Sequence, residues 1–144
     1  MIKINFQEPT FTIRLHKGVH QVWDTLRKQW LVLTPEEWVR QNFLQFLQQQ
    51  LAYPPALIAV EKTLALGTLK KRFDILVYDR QHQPFLMVEC KAMDVALNAN
   101  VLQQLLGYHM AVPVPYLCVT NGSYTQLWHK TNGQLVTLQH FPDL

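Results

Sequence analysis

Along the chain the spacing of apolar positions changes period several times. KINF and TFTIRLHKGVHQVW alternate apolar with polar residues, and Lys17-Gly18 divides the longer stretch as a β-hairpin turn would. A further apolar run, WLVL, follows. The period then lengthens in TPEEWVRQNFLQFLQQQL, where Thr34 stands at the cap, Pro35 in the first turn and Glu37 at the third position, the start of a helix. Tyr53-Pro54-Pro55 stops it near Leu51.

Alternation returns in LIAVEKTLALGTLKKRFDILVYDRQHQPFLMVECK, read as three strands joined by a turn at Gly67-Thr68 and a loop over Arg80 to Gln83. Links this short make neighbouring strands antiparallel. A helix, NVLQQLLGYHMA, ends at Pro113 and Pro115, and YLCVT is a short buried strand closed by Asn121-Gly122. Asn132-Gly133 between two apolar runs predicts a final hairpin. The expected fold class is therefore α/β: a mixed sheet of three antiparallel strands plus a crossover strand, flanked by helices. We divide a single domain into an N-terminal β-hairpin extension (1–33), a core (34–122) and a C-terminal hairpin (123–144).

The length of 144 residues suits one domain that buries its apolar surface without disulfides. A formal charge of +3 permits an anionic partner and selects none. Cys90 and Cys118 each fall within an apolar run, which predicts buried, reduced thiols in a cytoplasmic protein. No apolar run reaches the roughly 20 residues that span a bilayer, so no membrane partner is expected. The few glycines are scattered at turns, which excludes a phosphate-cradling loop and an ATP motor in this chain. The histidines lack metal-ligand spacing, and Trp23, Trp30, Trp38 and Trp128 read as core.

The chemistry concentrates in FDILVYDRQHQPFLMVECK. Strand alternation places Glu89 and Lys91 on one face with Cys90 on the other, and a hairpin centred between Gln81 and His82 puts Asp74 opposite Glu89, with Cβ atoms about 5 Å apart. Two carboxylates so close repel, and a divalent cation or Lys91 must offset them; hard oxygen ligands suit Mg²⁺. An exposed cross-strand salt bridge uses the same residues, but Leu76, Met87 and Phe85 on that face predict cover. The apolar positions of the first helix average to a direction close to Glu36, which turns Glu36 inward and leaves Glu37 to return to the Thr34 amide. Glu61, opposite Asp74 if Gly67-Thr68 is a two-residue turn, reads as the partner of a strand lysine or arginine. Gln104 and Tyr108 share one face of the later helix. Lys70, Lys71 and Arg72 form a basic run at a strand entry, read equally as solvated or as contacting a nucleic-acid backbone.

Asp74, Glu89-x-Lys91 on the next strand, a Glu on the preceding helix and Gln104-LLG-Tyr108 together resemble the PD-(D/E)XK nuclease superfamily. More narrowly, TPEEWVRQ, KKRFDILVYD, FLMVECKA and YLCVTNG are similar to small bacterial proteins related to the N-terminal nuclease domain of type I restriction enzyme R subunits. The superfamily's proline before the aspartate is Phe73 here. The resemblance implies a restriction-endonuclease-like core and a DNA endonuclease of restriction or repair. Mg²⁺, with Mn²⁺ able to substitute, is then held by Asp74, Glu89 and the Cys90 carbonyl. It further implies that Lys91 orients the attacking water or offsets phosphate charge, that Glu36 is the helix carboxylate with Glu37 as the fallback, and that Gln104 and Tyr108 line the site. Double-strand cutting requires two sites, hence a homodimer or a partner subunit. The alternative is a non-catalytic DNA- or protein-binding module on the same fold.

Overall fold

In the computed structural model, residues 1–110 and 112–144 are described, with the side chains of Leu66, Leu69 and Tyr108 outside the description. The expected N-terminal hairpin, β1 (Ile13–His16) and β2 (Val19–Asp24), gains a third strand from the WLVL run, β3 (Gln29–Val32), in a three-stranded antiparallel sheet. Next comes α1 (Pro35–Gln49), and then a 3₁₀ turn at Pro55–Leu57 leads into β4 (Ile58–Leu66), β5 (Leu69–Tyr78) and β6 (Pro84–Cys90). Helix α2 (Ala99–His109) crosses over to β7 (Tyr116–Thr120), which pairs parallel to β6. The last strands, β8 (Thr125–Thr131) and β9 (Gln134–Leu138), turn at Asn132-Gly133, both with the positive φ that a tight hairpin requires. This hairpin does not stand apart: β4 to β9 form one six-stranded mixed sheet in chain order. Ile2 is tied to the same sheet through its amide on the Thr125 carbonyl at 2.9 Å.

The helices form where their caps and apolar stripes dictate. Thr34 Oγ1 accepts the Glu37 amide at 3.0 Å, and Asn98 Oδ1 accepts the Val101 amide at 3.0 Å. Only half of the expected capping box forms on α1, because the Thr34 amide donates to the Val32 carbonyl and the Glu37 carboxylate is drawn to arginines. Val39, Phe43 and Leu47 of α1 pack on one side of the large sheet against Ile75, Val77, Val88 and Cys118. On the other side Leu102, Leu105 and Leu106 of α2 pack against Phe73, Leu76, Met87 and Leu117. Each fully buried Phe, Leu or Val contributes about 1.5–3 kcal/mol, so the two layers fix the sheet between the helices.

Strand alternation breaks at one place, and that place matters for the site. Val60 and Ile75 belong to the α1 side, whereas Leu64 and Phe73 belong to the α2 side, although each pair is separated by an even number of positions. Between them Glu61 has φ 52°, a left-handed conformation uncommon for a residue with a side chain. Val60↔Ile75 and Lys62↔Phe73 pair on either side of Glu61 and Asp74. The β4–β5 ribbon therefore changes faces at this pair.

Two readings of the aromatic and apolar residues need correction. Trp128 is buried, but Trp23, Trp30 and Trp38 are only partly buried, because Trp23 and Trp30 occupy the face of the small sheet opposite buried Val22 and Asp24. Phe85 packs on the α1 side, with its ring against Tyr116, rather than beside Leu76 and Met87. Both cysteines are buried free thiols, as expected.

Candidate active site

The register of β5 on β6 brings the predicted residues together. Ile75↔Val88, Leu76↔Met87 and Val77↔Leu86 follow the hairpin centre expected from the sequence, and the pairing slips only at Tyr78↔Pro84. Asp74 and Glu89 lie immediately beyond the last of these pairs, Ile75↔Val88. Asp74 Oδ2 accepts the Cys90 amide at 2.8 Å, and the Glu89 carboxyl lies within hydrogen-bonding reach of Asp74. Burial, then the Asp74 charge and that hydrogen bond, push the Glu89 carboxyl up to about 7; Lys91 opposes the shift and Glu36 adds to it. Asp74, Glu89, Lys91 and Glu36 thus lie in one electrostatic neighbourhood.

The face change at Glu61 explains how one aspartate reaches both helices' territories. On the α2 side Asp74 meets Glu89, which follows Met87 by two positions. Toward α1 its Oδ1 accepts Arg40 Nη2 at 2.9 Å. Arg40 was not among the residues the sequence singled out. Its side chain, 5% exposed, also pairs with Glu37 at 2.7 Å, Glu36 at 3.1 Å and Glu61 at 3.5 Å. The carboxylates of Glu37 and Asp74 outweigh the burial penalty and raise the guanidinium pKa. A signal was present: Arg40 stands three and four residues after Glu37 and Glu36 on one helix.

The two helix carboxylates exchange the orientations expected of them. Glu37 is buried between Arg40, Arg27 and Gln41, while the Glu36 side chain is 46% exposed at the mouth of the site. The apolar average failed because the ion pairs with Arg27 and Arg40 pull Glu37 inward. Glu36 nevertheless borders the groove that holds Lys91 and exposed Gln104, a space of about 570 Å³ also lined by Val95, Val101 and Leu105. The Tyr108 side chain, placed at the site by resemblance, lies outside the described residues. Glu61 pairs with Arg72 of β5 at 2.6 Å, as the partner of a strand cation should, and also with Arg27 of the β2–β3 turn at 3.2 Å.

The basic run divides. Lys70 is exposed, and Arg72, 65% exposed, is held by Glu61. Lys71 does not belong to an exposed backbone-binding run: it is 1% exposed, because it points to the α2 side of the ribbon with Phe73. Burial pushes its amine down to about 8, partly offset by Glu89. Beside it His109, with its ring near Phe73, is buried, and burial followed by the Lys71 and Lys91 charges pushes its imidazole down to about 4. His109 is thus a core histidine.

Among the described residues no group of three or more His, Cys, Asp or Glu side chains is gathered as a ready cation cage. Nor, among them, is any helix long and apolar enough to cross a membrane. The site consists of a carboxyl pair on adjacent antiparallel strands, a lysine two residues on and a helix carboxylate at the rim, within a mixed α/β fold. Residues 35–142 match the family model described as Type I restriction enzyme R protein N terminus, and the chain belongs to that family. Membership places the domain in a restriction-related, DNA-related context. No curated protein matches the chain.

Proposed function

We propose that the domain is a restriction-endonuclease-like core that hydrolyses nucleic-acid phosphodiesters, using Mg²⁺ held by Asp74, Glu89 and the Cys90 carbonyl. The observation that carries this reading is the Asp74–Glu89 pair beside Lys91, with Glu89 held up to about 7. Two hard carboxyls, of which Glu89 keeps its proton up to about 7, form a donor set that a divalent cation satisfies by replacing that proton. When bound, the cation supplies Lewis-acid polarisation of the phosphoryl oxygen and an activated water.

The chain's own residues do the rest. Lys91 offsets charge on the phosphate and orients the attacking water, whose oxygen bonds to phosphorus as the bond to the leaving sugar oxygen breaks. One proton leaves that water for solvent, and the leaving oxygen takes one up. Glu36, at the groove mouth, is the helix carboxylate of the site, and Gln104, in the same groove, helps position the phosphodiester. Arg40 holds Asp74 at Oδ1 and fixes its rotamer. The buried reduced thiols suit a cytoplasmic setting, and double-strand cleavage calls for a second copy or a partner subunit.

Nicking of supercoiled plasmid DNA in Mg²⁺ tests the reading: the wild type converts it to open circles and Lys91→Ala does not. Cleavage that survives Lys91→Ala overturns the role of the lysine. A second reading, a binding module without catalysis, draws on Arg40, because a guanidinium on Asp74 Oδ1 already neutralises one of the two acids. Calorimetric titration with Mn²⁺ separates the two, since the module predicts no heat that depends on Asp74.

A further inference from the structure

The small N-terminal sheet carries a surface that the carboxylate site does not use. Between Phe11 and Leu33, Arg14, Lys17, Arg27 and Lys28 stand against Asp24 alone, so this segment holds as much net positive charge as the +3 of the whole chain. Arg27 is spent on Asp24 and Glu37, which leaves Arg14, Lys17 and Lys28 for a partner. The pairing register lays three rows across one face: His16 with Val19, Arg14 with Gln21 and Val32, and Trp23 with Trp30. The two indoles meet edge to face at 5.4 Å, and the Arg14 guanidinium lies 4.1 Å from the Trp30 ring centre. All three side chains are partly exposed.

We propose that this face, built on Arg14, Trp23 and Trp30, binds single-stranded nucleic acid and directs it toward the carboxylate pair. Exposed aromatic rings beside cations suit a strand with unpaired bases, because bases stack on such rings only when they are not paired in a duplex. The direction comes from Val32, which is 55% exposed on this face. Val32 also lines an open groove of about 640 Å³ with Thr34, Glu36, Arg40 and Ala92, and Glu36 and Ala92 in turn border the Lys91 groove. The path rests on the phosphodiester-cleavage reading; the binding does not.

The test is fluorescence anisotropy in EDTA with dye-labelled oligothymidylate, oligouridylate and a duplex of matched length. Binding of either single strand at least about tenfold more tightly than the duplex, with quenching of tryptophan emission, is expected. Trp30→Leu and, separately, Arg14→Gln should weaken it about tenfold. Lys17→Asn with Lys28→Asn, at positions whose positive φ asparagine tolerates, should keep the quenching and lower the salt dependence by about one to two in log–log slope. The thymidylate and uridylate arms show whether deoxyribose or ribose strands are preferred. Equal affinity for duplex, binding unchanged in Arg14→Gln, or no binding of any oligonucleotide overturns the proposal, the last leaving the face to a protein partner. Because binding is read in EDTA, without cleavage, a wild type that binds the single strand but does not nick plasmid overturns the cleavage reading alone, and a wild type that nicks but shows no single-strand preference overturns this proposal alone.

Discussion

Replacing Arg40 by methionine keeps the length of the buried stem and removes the charge that joins α1 to β5. In the native protein that guanidinium contacts Glu37 at 2.7 Å, Asp74 at 2.9 Å and Glu36 at 3.1 Å. Removing one partner from a buried ionic network costs about 3–5 kcal/mol, mostly through the charges left behind. The low end applies. Glu37 keeps Arg27 and Gln41, Glu36 opens to water, and Asp74 keeps the Cys90 amide. A loss of about 3 kcal/mol, with a urea dependence of about 2 kcal/mol per molar, lowers the unfolding midpoint by about 1.5 M. Arg40→Lys retains the charge but not the fork, and should lose about half as much. In the same samples Arg40→Met should bind Mn²⁺ more tightly than the wild type, since a like charge no longer sits on Asp74. A midpoint moved by less than about 0.25 M, the size of a typical surface substitution of about 0.5 kcal/mol, refutes the account of Arg40 as the buried counter-ion.

Two smaller tests address the surroundings. His109 is held at about 4 against an ordinary 6.5, so the unfolded chain binds the extra proton and stability rises with pH through that window. As pH falls from 7 to 4, the unfolding free energy of the wild type from denaturant titration should therefore drop by about 3 kcal/mol relative to that of His109→Leu. Thr34→Ala removes the acceptor of the Glu37 amide and should cost about 1 kcal/mol in thermal unfolding, whereas Thr34→Ser should cost little.

The site was legible where it depended on local rules and illegible where it depended on competition between them. Antiparallel pairing of adjacent strands is set by loop length, and the hairpin centre read from it is the register that Ile75↔Val88 keeps, with Asp74 and Glu89 as neighbours just beyond. The helix start at Thr34-Pro35 and the hairpin at Asn132-Gly133 were equally local. Glu36 and Glu37 were read in reverse because an apolar average carries no information about Arg27, which arrives from a different element. Lys71 was read as surface for a related reason: uninterrupted alternation cannot foresee the left-handed Glu61 that redirects the strand's outer half. The third strand of the small sheet was visible as an apolar run, but its partner was not.

That left-handed residue also divides the ribbon's anchorage. The inner part of the β4–β5 ribbon is buried in one core and the outer part in the other, so Asp74 stands at the seam where the two cores exchange strands.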